Sequence, residues 1–344
     1  MKTLRAGIIG CGTIFPMHAQ SLANIKGVSL VAVSDIKEGR AKQRAKAYRC
    51  SYYTDYKKML DEADLDTVHI CTPHYLHMPM IHEAAKRKID TITEKPMGLN
   101  PAQAEKEIKA AKKAGITLGV ISQNRFNPGS QLVKNRIKDG SLGKLRAAKL
   151  VLTYHKPDSY YKKSDWKGRL NKEGGGVVID QAIHYLDIVR WLIPSPIEYV
   201  EASVSNRMHT FTNVEDSAEG IVKFRNGFYL AFYLINCYSF DDDPFIDIDC
   251  EKARVHIVKD SAYIGYSNGR NEKAEPRADE YIDYGDGVRD YWGYCHYNQI
   301  RDFYEALCNN RKPAITGDDA LKTQRLIWAI YESSKRGRKV YISD

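Results

Sequence analysis

The first 35 residues constrain this chain most. Arg5-Ala6-Gly7-Ile8-Ile9 reads as a buried strand, Gly10-Cys11-Gly12-Thr13-Ile14-Phe15 as a glycine turn, and His18 to Leu22 as helix. A second strand, Val28 to Val33, closes on Ser34-Asp35. Strand, glycine turn, helix, strand and acid, in that order, make a βαβ unit suited to a dinucleotide. The glycines let the backbone turn tightly and approach a pyrophosphate, and the helix N-terminus adds donors and a favourable dipole. Asp35 can accept from both ribose hydroxyls and would repel a 2′-phosphate, so NAD is expected over NADP. Gly10, Gly12, Thr13, Ile14 and Asp35 are therefore expected cofactor contacts. Phe15 stands where the fingerprint's third glycine would be. A structural strand-to-helix turn is the competing reading.

The α/β alternation continues to residue 123. Strands are predicted at Thr67–Cys71, Asp90–Thr93 and Ile116–Ser122. Helices are predicted at Tyr56–Leu60, Met78–Lys88 and from Asn100-Pro101 to Ala114-Gly115. A doubly wound parallel sheet binds ligands beyond the carboxyl ends of its strands. Thr72, Pro73, His77, Glu94 and Lys95 lie on such segments and complete the expected cofactor contacts. The Lys95–Pro96 bond is a candidate cis peptide, since proline lowers the cost of cis to ~0.5–1 kcal/mol. His69, His74, His77 and His82 crowd one region. They spread over strand, loop and helix with no acid or thiolate at ligand spacing, so no metal is expected.

From residue 124 the texture changes. A helix at Gly129–Lys138 and a long strand at Lys144–Tyr154 precede Glu173-Gly174-Gly175-Gly176, which opens a helix-like run through Asp187. Asp180 and His184 are four apart, which places them on one helical face. A carboxylate beside an imidazole can fix its tautomer and build a general base. The glycine run would let backbone approach a ligand there. The bland alternative is an acid in a first helical turn and a satisfied histidine. Strand-like runs follow at Tyr199–Val204, Ala218–Phe224, Phe228–Ile235, Ile246–Cys250 and Ala253–Val258, with Asn226-Gly227 as a hairpin turn. Ser267–Asp279 reads as a polar excursion. Helices at His296–Cys308 and Asp318–Lys335 and a tail strand at Lys339–Ile342 end the chain. Domains are expected at 1–123 and 124–344, with the C-terminal segment able to return to the first.

The net charge of +9 raises a nucleic-acid reading. The basic residues alternate with acids, as in Glu105-Lys106-Glu107-Ile108-Lys109, which is the pattern of a solvated helix face. No recognition motif accompanies them, so no nucleic-acid partner is expected. No apolar run approaches the ~20 residues that span a bilayer. Met1 to Arg5 runs directly into a strand, so no signal peptide is expected. The seven cysteines form no CxxC pair, which fits reduced thiols in a cytoplasmic protein.

The glycine turn, Glu94-Lys95-Pro96 and the GGG…Asp180…His184 run, in this order, closely resemble the Gfo/Idh/MocA family of NAD(P)-dependent oxidoreductases. The similarity spans essentially the whole chain. It implies an N-terminal Rossmann domain and a C-terminal α/β domain built on a large, mostly antiparallel open sheet, with the active site between them. It also implies that Lys95, Asp180 and His184 form the catalytic group, and that a homodimer or homotetramer forms through the second domain's sheet. Gln181 stands where several members have glycine, a change at the pocket.

Oxidation of a secondary alcohol removes a hydride and a proton. His184 suits the proton and Lys95 a developing alkoxide; which of the two takes the proton is open at this level. Asp180 can accept from a neighbouring hydroxyl. Asn124, Arg125, Tyr161 and Trp166 are candidate substrate contacts together with Asp180 and His184, and Tyr154, Lys163 and Arg169 flank the same segments. Such residues suit a sugar ring, including one with an acidic or phosphate group. The expected activity is NAD-dependent oxidation of a cyclic polyol, sugar or sugar derivative. The alternatives are an NAD-retaining glycosidase acting by transient oxidation and a non-enzymatic NAD-binding sensor.

Overall fold

The computed structural model describes residues 3–277, 281–285, 288 and 295–342. The described residues of 1–123 and 278–321 form one compact unit, and those of 124–277 and 322–344 a second.

In the first unit the elements are Leu4–Ile9 (β1), Phe15–Asn24 (α1), Val28–Ser34 (β2), Glu38–Tyr48 (α2), Ser51–Tyr53 (β3), Tyr56–Glu62 (α3), Thr67–Ile70 (β4), His74–Lys86 (α4), Asp90–Thr93 (β5), Pro101–Ala114 (α5) and Leu118–Val120 (β6). The sheet order is β3-β2-β1-β4-β5-β6 and every pairing is parallel. Strand order reverses between β1 and β4, where such sheets open a crevice for ligands. Apolar side chains cover both faces, as a parallel sheet requires. Ile9, Val68, Ile70 and Ile81 pack on one side. Ile8, Phe15, Leu22 and Val33 pack on the other with Ile300, Phe303 and Tyr304 of the helix His296–Cys308.

The caps of α5 follow its sequence. Asn100 accepts from the Gln103 N–H at 2.9 Å, and Gly115 ends the helix at φ +74°. Two elements had no sequence signal, α2 and β3. Only Ala41 and Ala45 of α2 are buried, so its periodic apolar stripe is faint. Helix α4 begins at His74 rather than Met78, directly after Pro73.

The second unit contains Pro128–Lys138 (α6), Leu145–Thr153 (β7), Asp158–Lys162 (α7), Leu170–Glu173 (α8), a π-helical turn at Val177–Ala182, and Ile183–Leu192 (α9). Strands Ile197–Ser205 (β8), Ser217–Phe224 (β9), Tyr229–Ile235 (β10), Phe245–Cys250 (β11), Ala253–Val258 (β12), Ser261–Tyr266 (β13) and Asn271–Ala274 (β14) follow, and Val340–Tyr341 (β15) comes last. The nine-stranded order is β14-β13-β12-β11-β7-β10-β9-β8-β15. Among the described residues only β7 and β10 of this sheet pair in parallel.

One face of this sheet packs under α9 and the later turns of the helix Gly317–Arg336 through Leu186, Val189, Ile327 and Ile330. The other face leaves Ile221, Tyr229, Tyr233 and Tyr263 exposed. Asn226-Gly227 turns between β9 and β10 with Gly227 at φ +92°, as its sequence signals. The supposed polar excursion Ser267–Asp279 instead contains β14, which pairs with β13; Ala278 and Asp279 lie outside the described residues. Among the described residues no helix is long and apolar enough to cross a membrane.

Candidate active site

At the end of β1 the chain turns at Gly10, with φ +98°. A Cβ there would lie 2.4 Å from the Cys71 carbonyl oxygen, so the position requires glycine. Gly12 is open by comparison, with the Arg40 guanidinium the nearest group. Thr13 and Ile14 lead into α1 with no side-chain cap at Ile14, and a helix N-terminus favours an anion. Phe15 is fully buried, its ring 5.6 Å from that of Tyr48. The missing third glycine is thus a packing residue.

Asp35 follows β2. Its carboxylate accepts from Cys11 N–H at 3.0 Å and Lys37 N–H at 2.9 Å, and Arg40 lies 3.2 Å away. The next residue, Ile36, is 88% exposed. An apolar side chain presented beside Asp35 could serve as a platform for a base, and no pattern in the sequence marks it. The open glycine turn, the uncapped helix start, Asp35 and Ile36 together fit a dinucleotide.

The ends of β4 and β5 carry the other expected contacts. His77 is buried and does not face a ligand. Its Nε2 meets Thr72 O and its Nδ1 meets Pro96 O, both at 2.7 Å. Burial pushes its pKa down, and a neutral ring donates to only one of two carbonyls at a time. The expectation that His77 contacts cofactor is therefore replaced: it ties together the segments that carry Thr72, Pro73 and Lys95. The Lys95–Pro96 bond is cis, and Lys95 is half-buried.

Glu94 is buried. Its Oε1 accepts from His18 Nε2 at 3.1 Å and His296 Nε2 at 3.3 Å, and its Oε2 from the Lys95 N–H at 3.2 Å. Burial pushes the carboxyl pKa up, but the two imidazole hydrogen bonds outweigh it and hold it well below the usual range. Burial also pushes His18 down and His69 well down, which keeps both rings neutral. Their tautomers then follow from the network. His18 donates through Nε2 to Glu94. Its Nδ1 accepts from His69 Nδ1–H at 2.8 Å, and His69 Nε2 accepts from Tyr304 O–H at 2.9 Å. His18, Glu94 and His296 are also a group whose ligand atoms lie within 4.8 Å of one another, a spacing a divalent ion can bridge. It is not the histidine group considered from the sequence.

In the second unit the glycine run serves the protein's own packing, not access for a ligand. A Cβ on Gly176 would lie 1.8 Å from Glu215 O, and one on Gly175 2.1 Å from the Tyr331 hydroxyl. The Glu215 carboxylate accepts from Gly176 N–H at 2.8 Å and Val178 N–H at 3.0 Å, which caps the π-helical turn. Asp180 lies within that turn and His184 on the first turn of α9. A π turn closes i to i+5, so the four-residue spacing amounts to just under one turn.

Three donors converge on Asp180 Oδ2: Tyr160 O–H, Lys167 Nζ and Gln181 Nε2, each at 2.7 Å. Lys167 Nζ is also 2.5 Å from the Tyr160 hydroxyl and 3.8 Å from Glu173. Burial pushes Lys167 down, but Asp180 and Glu173 more than restore it, so it stays charged. Glu173 is pushed up to about 8, first by burial and then by Asp180. Gln181 Oε1 accepts from Asn236, whose amide also donates to the Tyr161 hydroxyl, both at 2.9 Å. The Trp166 ring lies under Lys167, 4.5 Å from Nζ.

Among the expected substrate contacts, the structure thus brings Tyr161, Trp166 and Asp180 into one network. Asn124 and His184 are half-buried; Lys163 and Arg169 are exposed, and Tyr154 is buried. Arg125 is turned away from that role. Its Nε and Nη2 each bond the buried Asp187 at 2.6 Å, and a buried bidentate pair of this kind leaves the fork committed. Tyr160 and Lys167 were missed. Lys167 sits in a lysine-rich stretch, and nothing in one sequence separates a buried lysine from exposed ones.

Comparison with known proteins agrees with this picture. Residues 4–122 match the Gfo/Idh/MocA oxidoreductase model described as an NAD-binding Rossmann fold, and residues 134–342 match its C-terminal α/β domain. YrbE of Bacillus subtilis, named as an uncharacterized oxidoreductase, is 26% identical over 99% of this chain and 97% of its own. Myo-inositol 2-dehydrogenase of Thermotoga maritima is 23% identical over 99% of each. The WlbA dehydrogenase of Bordetella pertussis, solved with NADH and UDP-GlcNAcA, superposes with a TM-score of 0.85. It is 25% identical, over 100% of this chain and 99% of that one.

Glu173 yields a pH prediction. Its folded-state pKa is raised from 4.5 to about 8, so the folded chain keeps a proton that the unfolded chain releases. The stability this contributes is full below about pH 4.5, declines as pH rises, and levels off above about 8, at most ~1.4 kcal/mol per pH unit. Glu173→Gln should therefore gain stability relative to wild type as pH rises from 5 to 8. Urea unfolding of both proteins at several pH values checks this; a constant difference contradicts it.

Proposed function

From its membership of the Gfo/Idh/MocA oxidoreductase family, an NAD-binding one, we propose that this chain oxidises a secondary alcohol on a cyclic polyol or sugar. One observation carries the reading. The chain carries a dinucleotide-fitting glycine turn, Asp35 and a lysine at a sheet's ligand end in its first unit, and in its second an Asp180 set in a polar network, with His184 four residues on. A sensor needs the first of these and not the others. That myo-inositol 2-dehydrogenase and D-apiose dehydrogenase are relatives supports a polyhydroxylated substrate.

When bound, the nicotinamide supplies the hydride acceptor. The residues of this chain divide the remaining work. Gly10, Gly12, Thr13 and Ile14 hold the pyrophosphate, Asp35 the ribose, and Thr72 and Pro73 line the approach at the end of β4. Lys95 donates to the carbinol oxygen and stabilises negative charge developing there. His184 accepts the hydroxyl proton. Asp180 accepts from a neighbouring hydroxyl and orients the ring. The seven free cysteines support a reducing, cytoplasmic setting. The exposed Ile221, Tyr229 and Tyr233 on the neighbouring strands β9 and β10 support pairing of this sheet face with a second copy. Light scattering should then show a dimer or tetramer that Ile221→Glu weakens; a monomeric wild type contradicts this.

A panel of polyols and sugars with NAD, followed by NADH absorbance, tests the activity, and a parallel assay for released aglycone separates it from glycoside cleavage. His184→Ala should leave NAD affinity within about twofold and lower turnover by roughly 10²–10⁴. Lys95→Ala should cost about 3–4 kcal/mol in the chemical step, and the double variant less than the sum. Near-normal turnover in both single variants contradicts the assignment. For the cofactor, wild type should bind NAD more tightly than NADP, and Asp35→Ser should narrow the gap. Tighter NADP binding by wild type contradicts the role of Asp35.

A further inference from the structure

In the first unit a chain of buried hydrogen bonds runs from the start of β4 to the residue before Lys95. At the ligand end of the sheet, Glu94 Oε1 meets His18 Nε2 at 3.1 Å and His296 Nε2 at 3.3 Å, while Oε2 accepts the Lys95 N–H at 3.2 Å. His18 Nδ1 meets His69 Nδ1 at 2.8 Å, and His69 Nε2 meets the Tyr304 hydroxyl at 2.9 Å. That hydroxyl meets Thr67 Oγ1 at 2.8 Å. Thr67 opens β4, at the opposite end of the strand. His18, His69, Thr67 and Tyr304 are all buried.

Such a chain has two self-consistent proton directions, because a neutral imidazole donates through one nitrogen and accepts through the other. In one, Thr67, Tyr304 and His69 each donate toward His18, and His18 Nε2–H points at Glu94. In the other every donor is reversed, and a lone pair on His18 Nε2 faces the carboxylate. An ionised Glu94 selects the first direction. Tyr304 enforces it from the far end: its O–H, given to His69 Nε2, puts the His69 proton on Nδ1 and the His18 proton on Nε2. A buried carboxylate stripped of a donor must shift or find another, and a displacement of ~1 Å at a reacting group can cost about 10²-fold. A divalent ion among His18, Glu94 and His296 is the competing account of the same atoms. It needs a lone pair on both Nε2 atoms, and therefore the reversed direction.

We propose that His18 and His296 are positioning residues for Lys95, acting through the Glu94 carboxylate, and that the Thr67–Tyr304–His69 chain fixes the proton direction His18 needs. This deepens the dehydrogenase reading and rests on Lys95 meeting the carbinol oxygen. His18 lies on α1, which follows the glycine turn, so the same bonds tie the expected phosphate site to the lysine. His296 brings in a helix 202 residues further along the chain.

The test combines steady-state kinetics on a polyol or sugar that wild type oxidises, NAD affinity by calorimetry, and nitrogen NMR of labelled histidine rings. NMR should find His18 protonated at Nε2 and His69 at Nδ1. His18→Ala should lower kcat at least about tenfold, with KM and NAD affinity within about threefold. His18→Gln, whose amide still donates to Glu94, should recover most of that loss. In a Lys95→Ala background His18→Ala should cost nothing further, because nothing is left to place; a residue that only stabilises the fold lowers turnover in both backgrounds. Tyr304→Phe should lower kcat in wild type and leave His18→Gln unmoved, because the amide keeps its N–H whichever way His69 donates. A chelator should leave turnover unchanged. Thermal unfolding and NAD binding establish that each variant is folded; if His18→Ala does not fold, the NMR and Tyr304→Phe measurements decide. Normal kcat in His18→Ala, a further loss in the Lys95→Ala background, His18 protonated at Nδ1, or activity lost to a chelator and restored by zinc overturns the proposal and leaves the dehydrogenase reading standing. A wild type that forms no NADH from any ring removes that reading and this proposal with it.

Discussion

Buried carboxylates, and what each needs around it, organise both units. Glu94 is held ionised in an apolar setting because two imidazole N–H groups, from α1 and from the helix His296–Cys308, converge on one oxygen while the following N–H takes the other. Removing a partner from a buried charge costs far more than the pair contributes as a net gain. These three segments are therefore bound to one arrangement, and Lys95, next in the chain, inherits its place from it. Asp187 does the same in the second unit, gathering Arg125, Arg190 and Thr323.

The two units solve the problem of presenting chemistry differently. In the first, a parallel sheet with both faces covered has only its strand ends left for ligands. Gly10, Asp35, Thr72 and Lys95 accordingly follow the ends of β1, β2, β4 and β5. In the second, one sheet face is packed under helices, and Asp180 comes from a π-helical turn squeezed against Glu215. That turn exists because Gly175 and Gly176 tolerate contacts no side chain would. The glycine run is thus a packing device whose consequence is the placement of Asp180.

Local patterns in the sequence revealed much of this. The βαβ order, the Asn100-Pro101 start of α5, the Asn226-Gly227 hairpin and the strand alternation each carry their cause in neighbouring residues, and the structure contains all of them. What was illegible depends on distant partners. Helix α2 buries only alanines, so its period is weak. Strand β14 exists because β13 pairs with it, and a polar edge strand shows no alternation of its own. Arg125 looked like a substrate contact because its partner, Asp187, is 62 residues away. His77 looked like a cofactor contact because both of its carbonyl partners lie in loops.

The contrast between Arg125 and Lys167 shows how far composition can mislead about specificity. Both are cations on segments that flank Asp180 in sequence, and a count of them favours an acidic substrate. The structure assigns each a carboxylate of its own, so neither adds a net attraction for anions. Around Asp180 stands a set of hydroxyls and amides fixed by one another, with Gln181 bridging Asp180 to Asn236. Such groups discriminate by direction rather than by charge, because each donor or acceptor left unmatched by a ligand costs its desolvation.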